Sequence, residues 1–390
     1  MITLQLIFWI CLFLILHSYF LFPLILKLLA GKKTIQSESF SLEELPLVSV
    51  LIAAHNEEKM IGAKISSVLS GDYPHNKLEI LVGSDASTDQ TNEILQQHKE
   101  LHPSLLIFII NERKGKPGII NQLSKEAKGE ILVISDANVM LEPNTLIELI
   151  RYFKEERMGL VDSRLISTGI KKVGISRQEK FYIGREVSIK HNESVLWESM
   201  MGPFGGCYAI RKSLYKPVPD HFLVDDFFIN MSVLEQGGSC ITNIQARVNE
   251  DVSNNPREEF LRKKRISAGN YQNLLRFRSM LFKGSPGVRF CFFSHKVLRW
   301  IIPFLVILTL SLSAIMGIKS NFYLILALLQ LLVLLTPIIA YILRKIGIQS
   351  IPLRFVSHFV LMNMALLAGF FKFAGGIKNN VWEPTRRDQD

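Results

Sequence analysis

Four long apolar runs, one at the start of the chain and three towards its end, constrain how this sequence can fold. Residues 2–29 are almost wholly apolar, and the later runs cover 297–318, 321–343 and 353–376. About 20 apolar residues are enough to cross a bilayer, where a helix satisfies its own backbone hydrogen bonds. We therefore expect a multi-pass membrane protein with an N-terminal anchor and a C-terminal transmembrane region.

Lysine residues near the end of the first run indicate its orientation. Lys27, Lys32 and Lys33 lie there, and basic residues concentrate on cytoplasmic loops. We expect residues after 30 to be cytoplasmic, at the inner membrane of the cell. Such basic flanks also explain the net charge of +10. Because no nucleic-acid-binding motif is present, we do not expect nucleic acid as a partner.

Charges around the last apolar run conflict with a complete crossing. Basic residues place the loop before it in the cytoplasm, so a further full span would leave the basic residues of the tail, 377–390, outside. The run itself contains His358, Asn363 and Lys372. We therefore expect that it does not cross the membrane completely.

Between the apolar ends, strand-like and helix-like segments alternate. Predicted strands cover 47–53, 78–82, 105–110 and 130–135, with amphipathic segments between them. This alternation predicts a doubly wound α/β domain with a mostly parallel sheet. We expect residues 155–255 to be a strand-and-loop extension of it. The predicted divisions are a transmembrane anchor (1–30), a linker (31–46), a cytosolic α/β domain (47–255), amphipathic interface helices (256–294), a transmembrane region (295–376) and a cytosolic-type basic tail (377–390).

Residues that favour helix ends predict where two helices of this domain begin. Asn56 can cap the helix that carries Ile61 and Ile65 on one face. Pro117 suits the first position of the helix after the third strand, because a proline there loses no hydrogen bond.

Acidic and polar side chains recur where the predicted strands end: His55-Asn56-Glu57, Asp85, Asp136 with Asn138, and the later pair Asp225-Asp226. Any one of them could form a turn or cap a helix. Clustered carboxylates repel one another unless a cation or ligand lies among them. The carboxyl ends of parallel strands meet at one edge of the sheet, where α/β proteins bind ligands. The pattern therefore favours a nucleotide and a hard cation at this edge.

Lys116 lies at a predicted helix start, where the helix dipole disfavours a cation. Its position makes sense if an anion such as a diphosphate binds between the lysine and the free amides of the first turn. Arg113 and Lys114 are close by in sequence. A solvated basic loop is the alternative interpretation.

Eight segments, in chain order, carry a resemblance to a known family. They are AAHNEE (53–58), GSDASTDQT (83–91), GKPGIINQL (115–123), SDANVMLEP (135–143), GPFGGCYAIRKSLY (202–215), VDDF (224–227), RKKRI (262–266) and WEPTRR (382–387). Together they resemble the membrane-integrated family 2 glycosyltransferases, which include cellulose, hyaluronan and poly-N-acetylglucosamine synthases. The resemblance implies a GT-A (Rossmann-like) domain that transfers a sugar with inversion from a cytosolic nucleotide-diphospho-sugar, with a UDP-sugar as the expected donor.

The resemblance also implies roles for individual residues. They are nucleoside contacts for Glu57 and Asp85, diphosphate contacts for Arg113, Lys116, Arg262 and Arg265, nucleotide and metal contacts for Asp136, metal ligation for Asn138, and the acidic catalytic pair for Asp225 and Asp226, with Asp226 as the base. The implied cofactor is a divalent cation, Mg²⁺ or Mn²⁺. We expect one carboxylate of the acidic pair to cap the following helix and the other to catalyse.

The sequence departs from the family pattern in two places. Asn138 stands where the family's DxD motif has its second Asp, and a neutral amide ligates a cation more weakly than a carboxylate. Ile266 stands where polymerising members have the Trp of a QRxRW motif, and it cannot stack on an acceptor sugar. Three functions therefore remain open: elongation of a polysaccharide or glycan, a single addition to a lipid-linked acceptor such as a polyprenyl phosphate or glycolipid, and a non-catalytic scaffold that binds nucleotide sugar.

Overall fold

The computed structural model describes residues 1–36, 38, 40–168, 176–251, 255–348 and 350–377. The basic part of the predicted tail, and with it the WEPTRR segment, lies outside the described residues. The strands are β1 (Val48–Ala54), β2 (Leu78–Asp85), β3 (Leu105–Ile110), β4 (Ile131–Asp136), β5 (Met140–Leu141), β6 (Met158–Thr168), β7 (Cys207–Arg211) and β8 (Ser239–Asp251).

All eight strands form one sheet in the order β3-β2-β1-β4-β7-β6-β8-β5. The four predicted strands are present and pair in parallel. Beyond them β7 runs antiparallel to both β4 and β6, so the complete sheet is mixed. Strand β1 is buried along its whole length because it packs on two cores: Leu51 belongs to the core on one face, Val50 and Ile52 to the core on the other.

The helices within the sheet-containing part surround the sheet and follow the strands. They are α3 (Ile61–Leu69), α4 (Thr91–Leu101), α5 (Gly115–Glu126), α6 (Thr145–Ile150), α7 (Ser176–Trp197) and α8 (Asp225–Glu235), with short 3-10 turns at His75–Lys77, Arg151–Lys154 and Lys212–Leu214. The remaining helices are α1 (Ile2–Leu16), α2 (Phe22–Ala30), α9 (Pro256–Phe277), α10 (Met280–Lys283), α11 (Pro286–Cys291), α12 (Leu298–Gly317), α13 (Asn321–Lys345) and α14 (Ile351–Ala374).

The prediction of a strand-and-loop extension over 155–255 is wrong for the part that forms α7, whereas the helix expected after the acidic pair is present as α8. Helix α7 is 22 residues long and was missed because its buried side is not apolar. It buries four charged side chains, Glu179, Glu186, Lys190 and Glu193. An apolar stripe with a helical period, the usual sign of a packed helix, is therefore absent from its sequence.

Two predicted helix starts are also wrong. Asn56 does not cap α3, which begins at Ile61 after a turn. Instead Asn56 adopts a positive φ of 54°, and its side-chain oxygen accepts a hydrogen bond from the backbone N–H of Thr88 at 2.8 Å. Helix α5 begins at Gly115, two residues before Pro117, because the Asp85 carboxylate accepts hydrogen bonds from the N–H groups at its start.

Four helical segments among the described residues are long and apolar enough to cross a membrane: Ile2–Ala30, Pro286–Gly317, Asn321–Lys345 and Ile351–Ala374. The first two are continuous through π-helical turns at His17–Leu21 and Phe292–Val297. The last predicted run forms one helix of 24 residues. By length and composition it suits a span as the others do.

Helix α7 joins the sheet to these apolar helices through buried charges. His295, before α12, lies between two glutamates of α7, 2.6 Å from Glu193 and 3.0 Å from Glu186. Arg299 of α12 also pairs with Glu186. Although burial opposes it, the charges of Arg299 and His295 hold the pKa of Glu186 well below its usual value. The contact between α7 and the helix that begins at Leu298 is therefore made by buried charges.

A close contact between α14 and α9 predicts a substitution that destabilises the fold. A Cβ atom at Gly369 would lie 2.4 Å from the Cβ of Ser267 and 2.7 Å from the carbonyl oxygen of Lys264. We expect Gly369→Ala to lower the free energy of unfolding by about 1–3 kcal/mol through overpacking. Thermal unfolding of the detergent-solubilised protein measures this.

Gly184→Ala is the matched control, because nothing lies within 4 Å of its Cβ position on α7. It should be neutral or stabilise the helix by up to about 1 kcal/mol. Equal unfolding temperatures for the two variants would contradict the close packing of α9 on α14.

Candidate active site

The carboxyl ends of three parallel strands meet at one edge of the sheet. Strands β1, β2 and β4 end at Ala54, Asp85 and Asp136. The loop 202–206 before β7 reaches the same edge, because the Asp136 N–H donates to the Gly206 carbonyl at 2.9 Å. The predicted convergence of chemical groups at the carboxyl ends of the strands is therefore present.

The turn that carries Asp136 and Asn138 is supported from behind by Lys64. This lysine of α3 is fully buried and donates to the Ser135 hydroxyl and to the Val139 carbonyl, both at 2.6 Å. Burial lowers the pKa of Lys64 to about 8. Lys64 was not predicted, although a lysine between the inward-facing residues Ile61 and Ile65 of α3 indicates a buried charge.

Lys116 lies among the carboxylates rather than in a solvated loop. Its Nζ atom is 2.6 Å from Asp136, 3.7 Å from Asp225 and 3.3 Å from the Gly205 carbonyl oxygen. Although burial opposes it, the charges of Asp136 and Asp225 raise the pKa of Lys116. The lysine therefore stays positive and partly neutralises the cluster.

The acidic pair lies in the first turn of α8. The capping position is Val224, so the expectation that one carboxylate of the pair occupies it is wrong. Asp226 Oδ1 accepts from the Phe227 N–H at 2.6 Å. Burial and the neighbouring Asp225 carboxylate raise the pKa of Asp226 to about 6. A carboxylate with such a pKa can accept a proton near neutral pH.

Glycine at position 205 makes room for Asp226. A Cβ atom there would lie 2.4 Å from Asp226 Oδ2, and the backbone has a φ of +84°. The Asp226 carboxylate therefore packs directly against the loop backbone, and its position depends on that loop.

A second buried ion pair holds the other side of the loop. Lys190 of α7 lies 3.7 Å from Asp162 of β6 and 3.5 Å from the ring centre of Phe204. Asp162 accepts from the Phe204 N–H at 3.3 Å, and burial raises its pKa to about 7. Lys190 and Asp162 were not predicted, because both lie outside the eight segments that carry the family resemblance.

Asp85 and Arg113 lie beside the cavity rather than on its wall. The Asp85 carboxylate accepts from Arg113 Nε at 3.1 Å, and from the Lys114 and Gly115 N–H groups at 2.6 and 3.0 Å. Arg113 also contacts His55, whose Nδ1 lies 2.7 Å from the Asp85 carbonyl oxygen. A contact of Asp85 or Arg113 with a nucleotide stays a prediction.

The other predicted residues line one cavity of about 1140 Å³: Glu57, Lys116, Asp136, Asn138, Asp225, Asp226, Arg262 and Arg265. Arg262 is held by Glu259 through two hydrogen bonds of 3.0 and 3.2 Å. Arg265 donates to the Leu223 carbonyl at 3.3 Å. The cavity continues past these residues to side chains of the apolar helices, among them Tyr19, Trp300 and Phe359.

The oxygen atoms of Asp136 and Asn138 suit a hard divalent cation. No group of three His, Cys, Asp or Glu that could hold a metal occurs in the described part of the chain. Mg²⁺ is commonly bound through one or two carboxylates together with substrate phosphates. The residues therefore fit a cation that also needs phosphate oxygens, and a positive group, Lys116, already contacts Asp136.

Comparisons with known proteins match this chain to one family. Residues 49–218 match the model of glycosyl transferase family 2. The probable glycosyltransferase YdaM of Bacillus subtilis is 25% identical over 258 residues, which are 62% of this chain and 60% of that protein. The beta-monoglucosyldiacylglycerol synthase of a Nostoc species is 31% identical over 122 residues, which are 31% of this chain and 26% of that protein.

This chain thus spans about three fifths of the first relative and about a quarter of the second. A solved structure, the mannosyltransferase PcManGT from Pyrobaculum calidifontis in complex with GDP-Man and Mn²⁺, matches with a TM-score of 0.68. It is 20% identical, and the match covers 94% of this chain and 99% of that one. At this identity the match establishes the fold, and the prediction of a GT-A fold is confirmed.

The contact between Gly205 and Asp226 predicts a loss of sugar transfer. In Gly205→Ala the added methyl group must displace the Asp226 carboxylate, which lies 2.4 Å from its position. Because Asp226 is the predicted base, we expect kcat to fall at least about 100-fold, the usual loss for a misplaced general base. The rate of release of the nucleoside diphosphate measures kcat.

Gly237→Ala is the matched control, because Gly237 has a φ of +83° and nothing within 4 Å of its Cβ position. Both variants carry the same backbone strain, so both should lose similar thermal stability. A similar kcat in the two variants would show that the position of Asp226 does not depend on Gly205.

Proposed function

Because residues 49–218 form a family 2 glycosyltransferase domain, we propose that this protein is an inverting glycosyltransferase at a membrane. It transfers a sugar from a nucleotide-diphospho-sugar, with a UDP-sugar as the expected donor. The observation that carries the proposal is the position of Asp226, a carboxylate with a raised pKa beside Lys116 in a cavity that continues to the apolar helices.

In this proposal Asp226 removes the proton from an acceptor hydroxyl as that hydroxyl attacks the anomeric carbon of the donor. Such general-base assistance contributes about 10²–10⁴-fold to the rate. The C1–O bond to the diphosphate breaks in the same displacement, so no covalent enzyme intermediate is needed. Lys116 and Arg265 lie where positive charge can stabilise the departing diphosphate.

A divalent cation fits the donor side of the site. Asp136 and Asn138 would hold it, and it would supply charge stabilisation to the diphosphate leaving group. A structural neighbour of the same fold was crystallised with Mn²⁺, which supports a cation of this class. Lys116 contacts Asp136 in the protein alone, so we propose that this contact loosens when donor and cation bind.

The acceptor side favours a lipid-linked acceptor over a growing polysaccharide. Side chains of α12, α14 and the first apolar helix line the same cavity as Asp226. An acceptor embedded in the bilayer therefore reaches the site from the side of these helices. Ile266, which also lines the cavity, offers no aromatic face to a sugar. Polysaccharide elongation, supported by the resemblance to polymer synthases, is the second candidate.

We place the protein in the inner membrane with the sheet-containing domain in the cytoplasm, because Lys32 and Lys33 follow the first apolar helix. Nucleotide sugars are then supplied on the side of the active site.

The test is release of nucleoside diphosphate by purified full-length protein given a panel of nucleotide sugars, with Mg²⁺ or Mn²⁺, and with or without membrane lipid extract. We expect one donor to be turned over, faster with lipid extract, and product sizing to show a single addition. A ladder of products would favour polymerisation. Donor binding without turnover under any of these conditions would favour a non-catalytic scaffold.

The raised pKa of Asp226 predicts the pH dependence of the reaction. A base must be deprotonated to act, so kcat/KM should rise about tenfold per pH unit up to about pH 6 and then level off. Asp226→Asn should lower kcat by about 10²–10⁴-fold and remove this pH dependence. Initial rates between pH 4.5 and 8 measure both effects. A flat profile in the unmodified protein would argue against Asp226 as the base.

Because Asn138 offers a neutral amide, we expect a low affinity for the divalent cation, which a carboxylate at this position should raise. Chelation of divalent cations should abolish transfer, and Asn138→Asp should lower the half-saturating cation concentration by about tenfold, because ligand charge tunes cation affinity. Titration of Mn²⁺ against the rate measures this. Asn144→Asp, at the cap of α6 outside the cavity, is the control for an added charge. An unchanged titration in Asn138→Asp would remove Asn138 from the cation site.

A further inference from the structure

The cavity has a second region, away from the donor residues. Helix α14 contributes apolar side chains to its lining, Phe355, Phe359, Met362 and Leu366, together with His358 and Asn363. Helices α7 and α12 contribute charged side chains, among them Arg185, Glu186 and Arg299. A pocket that combines apolar side chains with an arginine, beside helices that suit a bilayer, fits an amphipathic molecule with an anionic group.

Arg185 is an arginine of this region on which the nearby Glu186 carboxylate acts only through charge, without direct contact. It is partly buried, and no hydrogen bond or ion pair to it is formed within the part of the chain that the structure describes. Burial and the neighbouring charge of Arg299 lower the pKa of Arg185. By contrast, Arg299 pairs with Glu186, and Arg262 pairs with Glu259.

Removing a guanidinium group from water without a partner costs free energy. An anion bound to Arg185 would offset that cost, and a phosphate group can accept two parallel hydrogen bonds from one arginine. Arg299 is already paired with Glu186, so Arg185 is the group that would contact the anion. The chemistry of the pocket therefore selects a phosphate group.

The position of Arg185 along α7 relates this phosphate to the reacting hydroxyl. Lys190, five residues further along the same helix, contacts Phe204 of the loop beside Asp226 and interacts electrostatically with Asp226. Arg185, Lys190 and Asp226 all line the same cavity. A phosphate at Arg185 and a hydroxyl at Asp226 can therefore belong to one molecule bound in it.

We propose that the acceptor is an acidic lipid in which a phosphate group links the apolar chains to the unit that is glycosylated, and that Arg185 binds this phosphate. The apolar chains lie along α14, the phosphate contacts Arg185, and the hydroxyl-bearing unit extends to Asp226. This inference rests on the proposed transferase function and names the class of its acceptor. A lipid whose phosphate is itself the attacking group would need no base, whereas Asp226 is placed as one.

Binding of two matched lipids to the full-length, detergent-solubilised protein tests the proposal. Dioctanoyl phosphatidylglycerol and dioctanoylglycerol have the same chains and both present a primary hydroxyl, but only the first contains a phosphate. Trp300 lines the cavity, so tryptophan fluorescence reports occupancy. We expect the phospholipid to bind about tenfold or more tightly than the neutral lipid, because hydrogen bonds to charged groups are strong.

The variants separate Arg185 from general attraction to an acidic lipid. Arg185→Gln should remove the preference, and Arg185→Lys should keep part of it. Arg278→Gln removes the same charge from an exposed residue that does not line the cavity, and it should keep the full preference. Melting curves check that each variant is folded.

Equal affinities for the two lipids in the unmodified protein would overturn the proposal, and so would a preference that survives in Arg185→Gln. A loss as large in Arg278→Gln would assign the preference to the basic surface and would also overturn it. Release of nucleoside diphosphate by the unmodified protein, given membrane lipid extract, is measured in parallel. Absence of that release from every donor counts against the transferase function, whereas release without a lipid preference that depends on Arg185 counts against this inference alone.

Discussion

The contact of Lys116 with two carboxylates is the interaction on which the rest of the active site depends. The end of β4 and the start of α8 bring Asp136, Asp225 and Asp226 to one edge of the sheet, where their charges repel one another. Lys116, 2.6 Å from Asp136 and 3.7 Å from Asp225, reduces that repulsion in the protein alone. In the proposed reaction the lysine charge is then available to a diphosphate, and the Asp136 carboxylate to a cation.

Helix α7 connects this edge with the apolar helices. One of its charged residues, Lys190, pairs with Asp162 and supports the loop that holds Asp226, and another, Glu186, pairs with Arg299 and His295. Breaking a buried pair by removing one partner is costly, often about 3–5 kcal/mol. The two parts of the protein are therefore joined by interactions that resist relative movement.

The sequence predicted the parallel strands and their polar ends well, because β1 and β4 are apolar runs that end in residues with chemical function. It failed for α7, whose buried side consists of charges that find partners far away in sequence: Glu193 pairs with His295, 102 residues further on. It also missed Lys64, whose partners, the Ser135 hydroxyl and the Val139 carbonyl, become visible only when the turn between β4 and β5 is formed. Asp85 caps α5, an interaction between distant residues that no local pattern indicates.

The ionic attachment of α7 to α12 also sets a length scale. Because the sheet-containing domain is held against helices that suit a bilayer, the Asp226 carboxylate lies at a constant height relative to those helices. In the proposed reaction, a lipid acceptor anchored by its chains presents a hydroxyl to Asp226 only if its head group spans that height. The proposed transferase would therefore select acceptors first by the length of their head groups and only then by specific contacts with their sugars.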